Sequence, residues 1–461
     1  MIVQARRMRE ILQRLRGKKA TIVVGGPYCT VAESQFAGLC DVLFIGEAEE
    51  TWPEFLTALA RGEPVLKRYE QKEKTNMETV PTPRYDLIKA DYYIMASIQF
   101  SRGCPFLCEF CDIITIFGRR PRLKTNAQMI AEFEAVRAQG FRRCFLVDDN
   151  FIGNKAKAKE LLREMIVWQK ANGYPLKFVT EASINLADDP ELMQLMVEAN
   201  ILQVFIGVES PRKTSLSEIH KVQNVRGDSQ LDKLRRVRDA GIVVAAGFIV
   251  GFDSDDENIF DEQFDFITEA GIAVAPISPL APIPSTPLYD RLKAEGRLDF
   301  THPELAFHPK NMTREALMDG YMNLMKRLYA PEAFFDRLFR GHMSPGFRKV
   351  RAEQDQRAKR STRLSRLKNN VGYTIVAGKI AKALYRAGLL GSLGKAYLKI
   401  WFEKNRPLGR DAISFASFVD LCLAHWHFYN LAHGPRRGTF GAVLPEGTVL
   451  FDRAQAEAEA A

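Results

Sequence analysis

Two things this 461-residue chain lacks narrow its possibilities before any motif is considered. No uninterrupted apolar run is long enough to cross a bilayer, which takes roughly 20 consecutive residues. No basic-flanked apolar stretch opens the chain as a secretory signal would. The expectation is a cytoplasmic protein. Cysteine is scarce: there are seven, an odd number, and three of them fall between residues 104 and 111. That is not the even spread of a secreted disulfide framework. Reduced thiols available to a metal fit better. Basic residues interleaved with aromatics are too sparse for a nucleic-acid groove, so nucleic acid is not an expected partner.

What is present reads as a folded enzyme of two or three domains with a sizeable core. The formal net charge is +9, but charge alone does not choose a partner, and much of the excess sits in one basic run, residues 348–368. That run reads as a solvated helix or linker, with partner or membrane contact as the other possibility.

The first 75 residues begin with a helical pattern over residues 3–15. A strand over 20–24 then ends in Gly25-Gly26-Pro27, and another over 42–45 ends in Gly46-Glu47. Strands with glycine at their carboxyl ends, alternating with helices, point to a doubly wound α/β sheet whose ligand sits at those ends. Only two strands are visible where such a sheet has about five. The expectation is an incomplete domain, from a misplaced start or a truncated gene. A proline-containing linker, 76–95, leads to residues 96–290. There six short apolar runs (97–100, 144–147, 178–182, 203–208, 243–250 and 273–277) alternate with helical patterns, as in a partial (β/α)6 barrel. Asp148, Asp149, Asn150, Glu181, Glu209 and Asp253 fall at or just past strand ends, the face where barrel enzymes place their chemistry. Residues 291–440 read as a helical extension and 441–461 as a frayed tail. Within the extension, 371–401 mixes apolar residues with lysine and arginine, either as a helical pair packed on the barrel or as a helix lying on anionic membrane.

The chemistry concentrates in Cys104, Cys108 and Cys111, spaced CxxxCxxC directly after the first barrel strand. Three thiolates on one loop can hold three irons of a cubane cluster and leave the fourth open. Zinc is the main competitor, but structural zinc sites usually have four ligands, and no fourth Cys or His lies nearby in the sequence. Cys29, Cys40, Cys144 and Cys422 read as buried, inert thiols.

This loop, with Phe110 before its last cysteine, resembles the signature of the radical S-adenosylmethionine (SAM) superfamily. The resemblance implies a [4Fe-4S] cluster whose open iron chelates SAM and whose electron breaks the C5′–S bond. It places Asp148-Asp149-Asn150 and Glu181 near SAM and Glu209 against the ribose or methionyl part. It also likens Gly247 and Gly251 to a fifth-strand glycine motif near adenine. The stretches VVGGPYCT and DVLFIGEAEETWPEFL resemble the second half of the cobalamin-binding domain of class B radical SAM methylases, which brings Gly25, Gly26, Gly46 and Glu47 toward cobalamin. Together with the helical extension, QFSRGCPFLCEFCDI, FLVDDNFIGNK and FIGVESP resemble the branch that includes hopanoid C-2 methylases. The resemblance therefore implies a C-methyltransferase for an apolar substrate such as a hopanoid, reduced by flavodoxin or ferredoxin, with possible peripheral membrane contact. No residue stands out as an acid, base or nucleophile. The first histidine is His220, so the DxHxxG loop of many cobalamin domains is absent. Two rivals stay open: a non-methylating radical SAM cyclase or oxidase of tetrapyrroles or lipids, and a zinc-stabilised basic binding module.

Overall fold

The computed structural model describes residues 5–15, 17–36, 38–301, 305–358 and 363–434. A helix, Ala5–Leu15, precedes a parallel sheet in the order β1 (Val23–Val24), β2 (Val42–Gly46) and β3 (Arg68–Gln71). β1 occupies only the end of the run expected at 20–24. The sequence pattern hides β3, because its residues alternate: Arg68 and Glu70 face out while Tyr69 and Gln71 are buried. It belongs to the sheet through Tyr69, whose ring stacks on Phe44 at 4.9 Å. The sheet thus has three strands, not the two expected.

The connector contributes three single turns, Met77–Thr79, Tyr85–Leu87 and Ala90–Tyr92. Buried Tyr85 ties it to the next unit by donating its hydroxyl hydrogen to the Ser97 carbonyl at 2.9 Å.

Six parallel strands follow in sequential order within one sheet: β4 (Ala96–Ile98), β5 (Arg143–Leu146), β6 (Lys177–Glu181), β7 (Ile201–Glu209), β8 (Val243–Val250) and β9 (Ile277–Pro279). β4 and β9 are the edges, so the sheet is an open relative of the β/α barrel. Alternation divides its faces. Val204, Ile206 and Val208 of β7 are buried, as are Ala246, Phe248 and Val250 of β8, while Phe205, Gly207 and Gly247 on the opposite face are only partly covered. The sixth strand lies later than the expected 273–277. Pro276 has no N–H to donate, so the regular ladder begins after it, although the Val274 and Pro276 carbonyls still accept from Ala246 and Phe248.

Helices Arg314–Leu328 and Pro331–His342 pack back on the barrel. The Tyr329 hydroxyl donates to the Ala275 carbonyl at 2.9 Å, and buried Arg337 donates to the carbonyls of Ile272 and Leu328 at 2.8 and 2.7 Å. Helices Pro345–Ala358, Arg363–Arg386 and Phe415–His433 complete the extension. The basic run falls in the first two of these, apart from residues 359–362, which lie outside the described residues, as does the expected tail from 441. The stretch 371–401 is broken rather than continuous. The helix ends at Arg386, Gly388 takes a left-handed φ of 71°, and the chain resumes through wide turns at Leu390–Gly394 and Ile400–Asn405. Among the described residues, no helix is long and apolar enough to cross a membrane.

Candidate active site

After β4 the chain forms a short antiparallel pair, Ser101–Arg102 with Arg122–Leu123, which sets the root of the cysteine loop. Gly103 follows at φ 98°, and a methyl group there would meet the Gly118 carbonyl oxygen at 2.8 Å. Only glycine fits this turn. Cys104 N then donates to that same Gly118 carbonyl at 3.2 Å.

The β5 end holds this loop from below. Asp148 accepts from the Ser101 N–H, and Asp149 Oδ2 accepts from Gly103 N at 2.7 Å. Asn150 Nδ2 donates to Cys104 Sγ at 3.9 Å and to Ser183 Oγ at 3.1 Å. The aspartates expected near SAM are therefore anchored to backbone. Burial pushes Asp148 up to about 7 and Asp149 up to about 6, against the N–H groups that favour their charged forms.

Two further segments clamp the loop. Glu109 N donates to the Ile219 carbonyl, and Gln223 Nε2 donates to Cys108 Sγ at 3.7 Å. On another side the Glu109 carboxylate is held by both arms of Arg291, at 2.7 and 3.1 Å, and its carbonyl accepts from Leu288 N. Asp253 belongs to this clamp, paired with Arg291, Arg297 and Lys310; although burial opposes ionisation, these cations hold its carboxyl down to about 2.

The three thiols are close enough to influence one another's ionisation, and burial dominates, pushing Cys111 up to about 12. Bound metal overcomes such a penalty, because a coordinating thiol is deprotonated outright. Amide N–H donors already aimed at two of the sulfurs match what an iron–sulfur cluster draws from its surroundings. Among the described residues, no three His, Cys, Asp or Glu side chains close on a single-ion site. A cubane needs three thiolates at three separate corners, and the donor set fits it.

Glu181, at the end of β6, is pushed up to about 7 by burial, with Asp149 and Asp148 adding to the effect. Its carboxylate makes no hydrogen bond or ion pair to another side chain among the described residues, which leaves it open to a cation. Glu209 is different. It sits at φ 65°, and its Oε1 accepts from Lys221 Nζ at 2.7 Å. Lys221 in turn lies over the Phe110 ring, 5.7 Å from its centroid. Gly207 makes this pair possible, since a methyl there would overlap both Glu209 Oε1 and Lys221 Nζ.

At the expected glycine motif the missing side chains are matched by close neighbours. The space beside Gly247 is taken by the Phe205 ring, and that beside Gly251, at φ 99°, by Leu317 and Phe307. In the first sheet, Glu47 is no longer available to cobalamin. Its side chain is 2% exposed and accepts from Arg102, Arg122 and Thr75 N at 2.7 to 3.0 Å, which locks this sheet to the root of the cysteine loop. A methyl on Gly46 would meet the Gln71 carbonyl oxygen at 2.7 Å, and one on Gly25 would press on Phe44, so both are packing glycines. Only Gly26, at φ 103°, faces open space. The sequence does not flag Gln223, Lys221, Arg291, Arg122 or Gly207. Gln223, Arg291 and Arg122 act on partners far along the chain, Lys221 meets Glu209 only 12 residues away, and for Gly207 a glycine beside a strand-end acid was the available signal.

An open parallel barrel with a pinned three-thiol loop after its first strand, and two strands on an acid with no side-chain partner among the described residues, defines a half-barrel protein whose chemistry gathers at one end of the sheet. Residues 98–267 match the model of the radical SAM superfamily, and residues 286–439 match a domain of unknown function, DUF4070. An uncharacterized methyltransferase of Synechocystis sp. is 37% identical over 93% of this chain and 78% of its own length. The hopanoid C-2 methylase of Rhodopseudomonas palustris is 33% identical over 73% of this chain; the match spans 64% of that enzyme. The solved structure of OxsB, a cobalamin-dependent SAM radical enzyme with aqua-cobalamin and SAM bound, superposes with a TM-score of 0.56 at 16% identity, covering 93% of this chain and 74% of that one. At that identity the likeness is one of fold. The chain belongs to the radical SAM superfamily, and it is an enzyme.

Proposed function

We propose that the protein is a radical SAM C-methyltransferase acting on an unactivated carbon of an apolar small molecule, with hopanoids as the substrate class and cobalamin as methyl carrier. The observation that carries the reading is the cysteine loop, pinned on three sides and with amide donors on Cys104 and Cys108. When bound there, a [4Fe-4S] cluster leaves one iron for SAM and supplies the electron that breaks the C5′–S bond.

The residues around the loop divide the remaining work. Asp148 and Asp149 fix the backbone that presents Cys104, and Glu181 receives the SAM ammonium as the unpaired acid of the site. Lys221, neutralised on one side by Glu209, keeps a positive charge beside the thiolates. The Glu109–Arg291 clamp holds the loop against the end of the barrel. A flavodoxin- or ferredoxin-type donor supplies the reductant, and an apolar substrate reaches the enzyme from a membrane.

Methyl transfer is supported by the names of the two relatives at 37% and 33% identity, and the hopanoid class by that of the second alone. Cobalamin is supported by the fold likeness to OxsB. Of the four residues expected to meet it, Gly26 faces open space, while the Glu47 side chain is already paired with Arg102 and Arg122. Incubating the reconstituted enzyme with methyl-labelled SAM and a hopanoid tests the reading. Label in the product is expected. SAM cleavage with a modified but unlabelled product would replace methyl transfer with a cyclase or oxidase, and zinc without sulfide in anaerobically prepared protein would end the radical reading.

A further inference from the structure

The extension matched by the domain of unknown function contains an apolar groove of about 710 Å³, within the range of roughly 300–1,000 Å³ typical of small-ligand sites. It lies between the end of helix Arg363–Arg386, the broken segment that follows, and helix Phe415–His433. Ile380, Leu384, Leu398, Trp401, Phe415 and Val419 line it, and among the described residues Lys395 is its one charged lining residue. The break described above opens it: the wide turn Leu390–Gly394 carries Gly391, beside which nothing lies within 4 Å. Such wide turns often mark functional positions in helices.

The surface around the groove is both greasy and cationic. Leu398 is 61% exposed and Phe402 53%. Residues 363–402 contain Arg363, Arg366, Lys368, Lys379, Lys382, Arg386, Lys395 and Lys399, and no Asp or Glu. Among the described residues, Lys379, Lys382, Arg386, Lys395 and Lys399 are exposed without acidic partners. A protein surface that needed its cations only for solubility would interleave acids, as the barrel helices do with Lys157–Glu160 and Arg163–Glu191. Unpaired lysines around exposed Leu398 and Phe402 and half-buried Trp401 instead match an anionic bilayer, whose phosphates meet the cations while its acyl region meets the apolar residues.

We propose that this face docks the enzyme on an anionic phospholipid bilayer, with one acyl chain entering the groove beside Trp401 and lysines 395 and 399 on the headgroup phosphates. The proposal does not depend on methyl transfer.

The test uses the full chain with vesicles of phosphatidylcholine, with and without phosphatidylglycerol, carrying brominated acyl chains. Cosedimentation is expected only with the anionic vesicles, at least tenfold above the zwitterionic control, with quenching of Trp401 fluorescence that Trp401→Phe removes. Leu398→Glu with Phe402→Glu, and separately Lys395→Glu with Lys399→Glu, should each weaken binding at least tenfold, while Lys170→Glu on an exposed barrel helix leaves it unchanged. Thermal unfolding of each variant shows whether it folds, and the quenching of the unaltered chain stands without them. Binding without Trp401 quenching overturns the groove as an acyl site. Binding equal on both vesicle types does the same for the charge match. Self-association through this face in place of vesicle binding would assign it to a second copy, and quenching that appears only after removal of residues 435–461 would assign it to the chain's own tail. Either result overturns the proposal.

Discussion

Gln223 Nε2 lies 3.7 Å from Cys108 Sγ, although 115 residues separate the two in sequence. Hydrogen bonds to cluster sulfurs are among the features that set reduction potential, so this amide is a tuning group for whatever the loop holds. Gln223→Leu should leave iron and sulfide content unchanged and shift the cluster midpoint potential to more negative values, read by redox titration with electron paramagnetic resonance. An unchanged potential would make the contact structural only.

Glu181 is an acid of the site whose carboxylate has no side-chain partner among the described residues. If its carboxylate receives the SAM ammonium, Glu181→Gln removes a charge-assisted hydrogen bond, about 1.5–3 kcal/mol. The Kd for SAM should rise about 10- to 100-fold, measured by equilibrium binding to the reconstituted protein, with the cluster spectrum intact. Unaltered affinity would move the ammonium elsewhere.

Glu47 has a structural task. It accepts from Arg102 and Arg122 with its side chain almost wholly buried, and breaking a buried pair from one side leaves uncompensated charge, at a cost of about 3–5 kcal/mol. Glu47→Ala should lower the unfolding midpoint in denaturant accordingly and loosen the first sheet from the cysteine loop, seen as faster amide exchange in residues 42–46 and 101–103. A variant as stable as the parent would return Glu47 to the ligand role expected from sequence.

The extension should be sensitive to acid. His425 is fully buried, its Nδ1 accepting from the Tyr397 hydroxyl at 2.7 Å and its Nε2 donating to the Tyr329 carbonyl at 3.0 Å. Burial holds it down to about 4, against about 6.5 when unfolded. Between those values the unfolded chain binds the proton and the folded chain does not, so stability rises with pH through this window. The contribution is fully present above about 6.5 and is lost as pH falls toward 4, by about 3 kcal/mol in all. Thermal midpoints at pH 7.5 and pH 5 check it. His425→Gln should lower the midpoint at pH 7.5 and remove this part of the slope; what remains combines His342, which burial also holds down to about 4, with the raised carboxyls of Asp148, Asp149 and Glu181, which act in the opposite sense. A slope equal to the parent's would contradict the assignment.

What the sequence made legible was local. CxxxCxxC is a spacing within one loop, and the barrel strands are short apolar runs bounded by turns, so both could be read directly. β3 escaped because Arg68 and Glu70 face solvent, and β9 was displaced by an amide that Pro276 lacks. The protein partners that the expected ligand acids already hold were hidden from the sequence for two different reasons. Glu47 meets Arg122 across 75 residues, and no spacing rule reveals that an acid at a strand end is already paired. Glu209 and Lys221 are only 12 apart, yet their pairing depends on the left-handed turn at Glu209 and on the missing side chain of Gly207. The space left by the missing side chain of Gly251 is taken by Leu317, 66 positions on, which no local pattern shows.

The central claim is that Cys104, Cys108 and Cys111 together hold the cluster that cleaves SAM. The most direct measurement is 5′-deoxyadenosine formed in a single turnover by anaerobically reconstituted, dithionite-reduced protein, compared with Cys111→Ala at matched folding by circular dichroism. The account predicts stoichiometric product from the parent and none above background from the variant. Product from Cys111→Ala at the parent's level would contradict it.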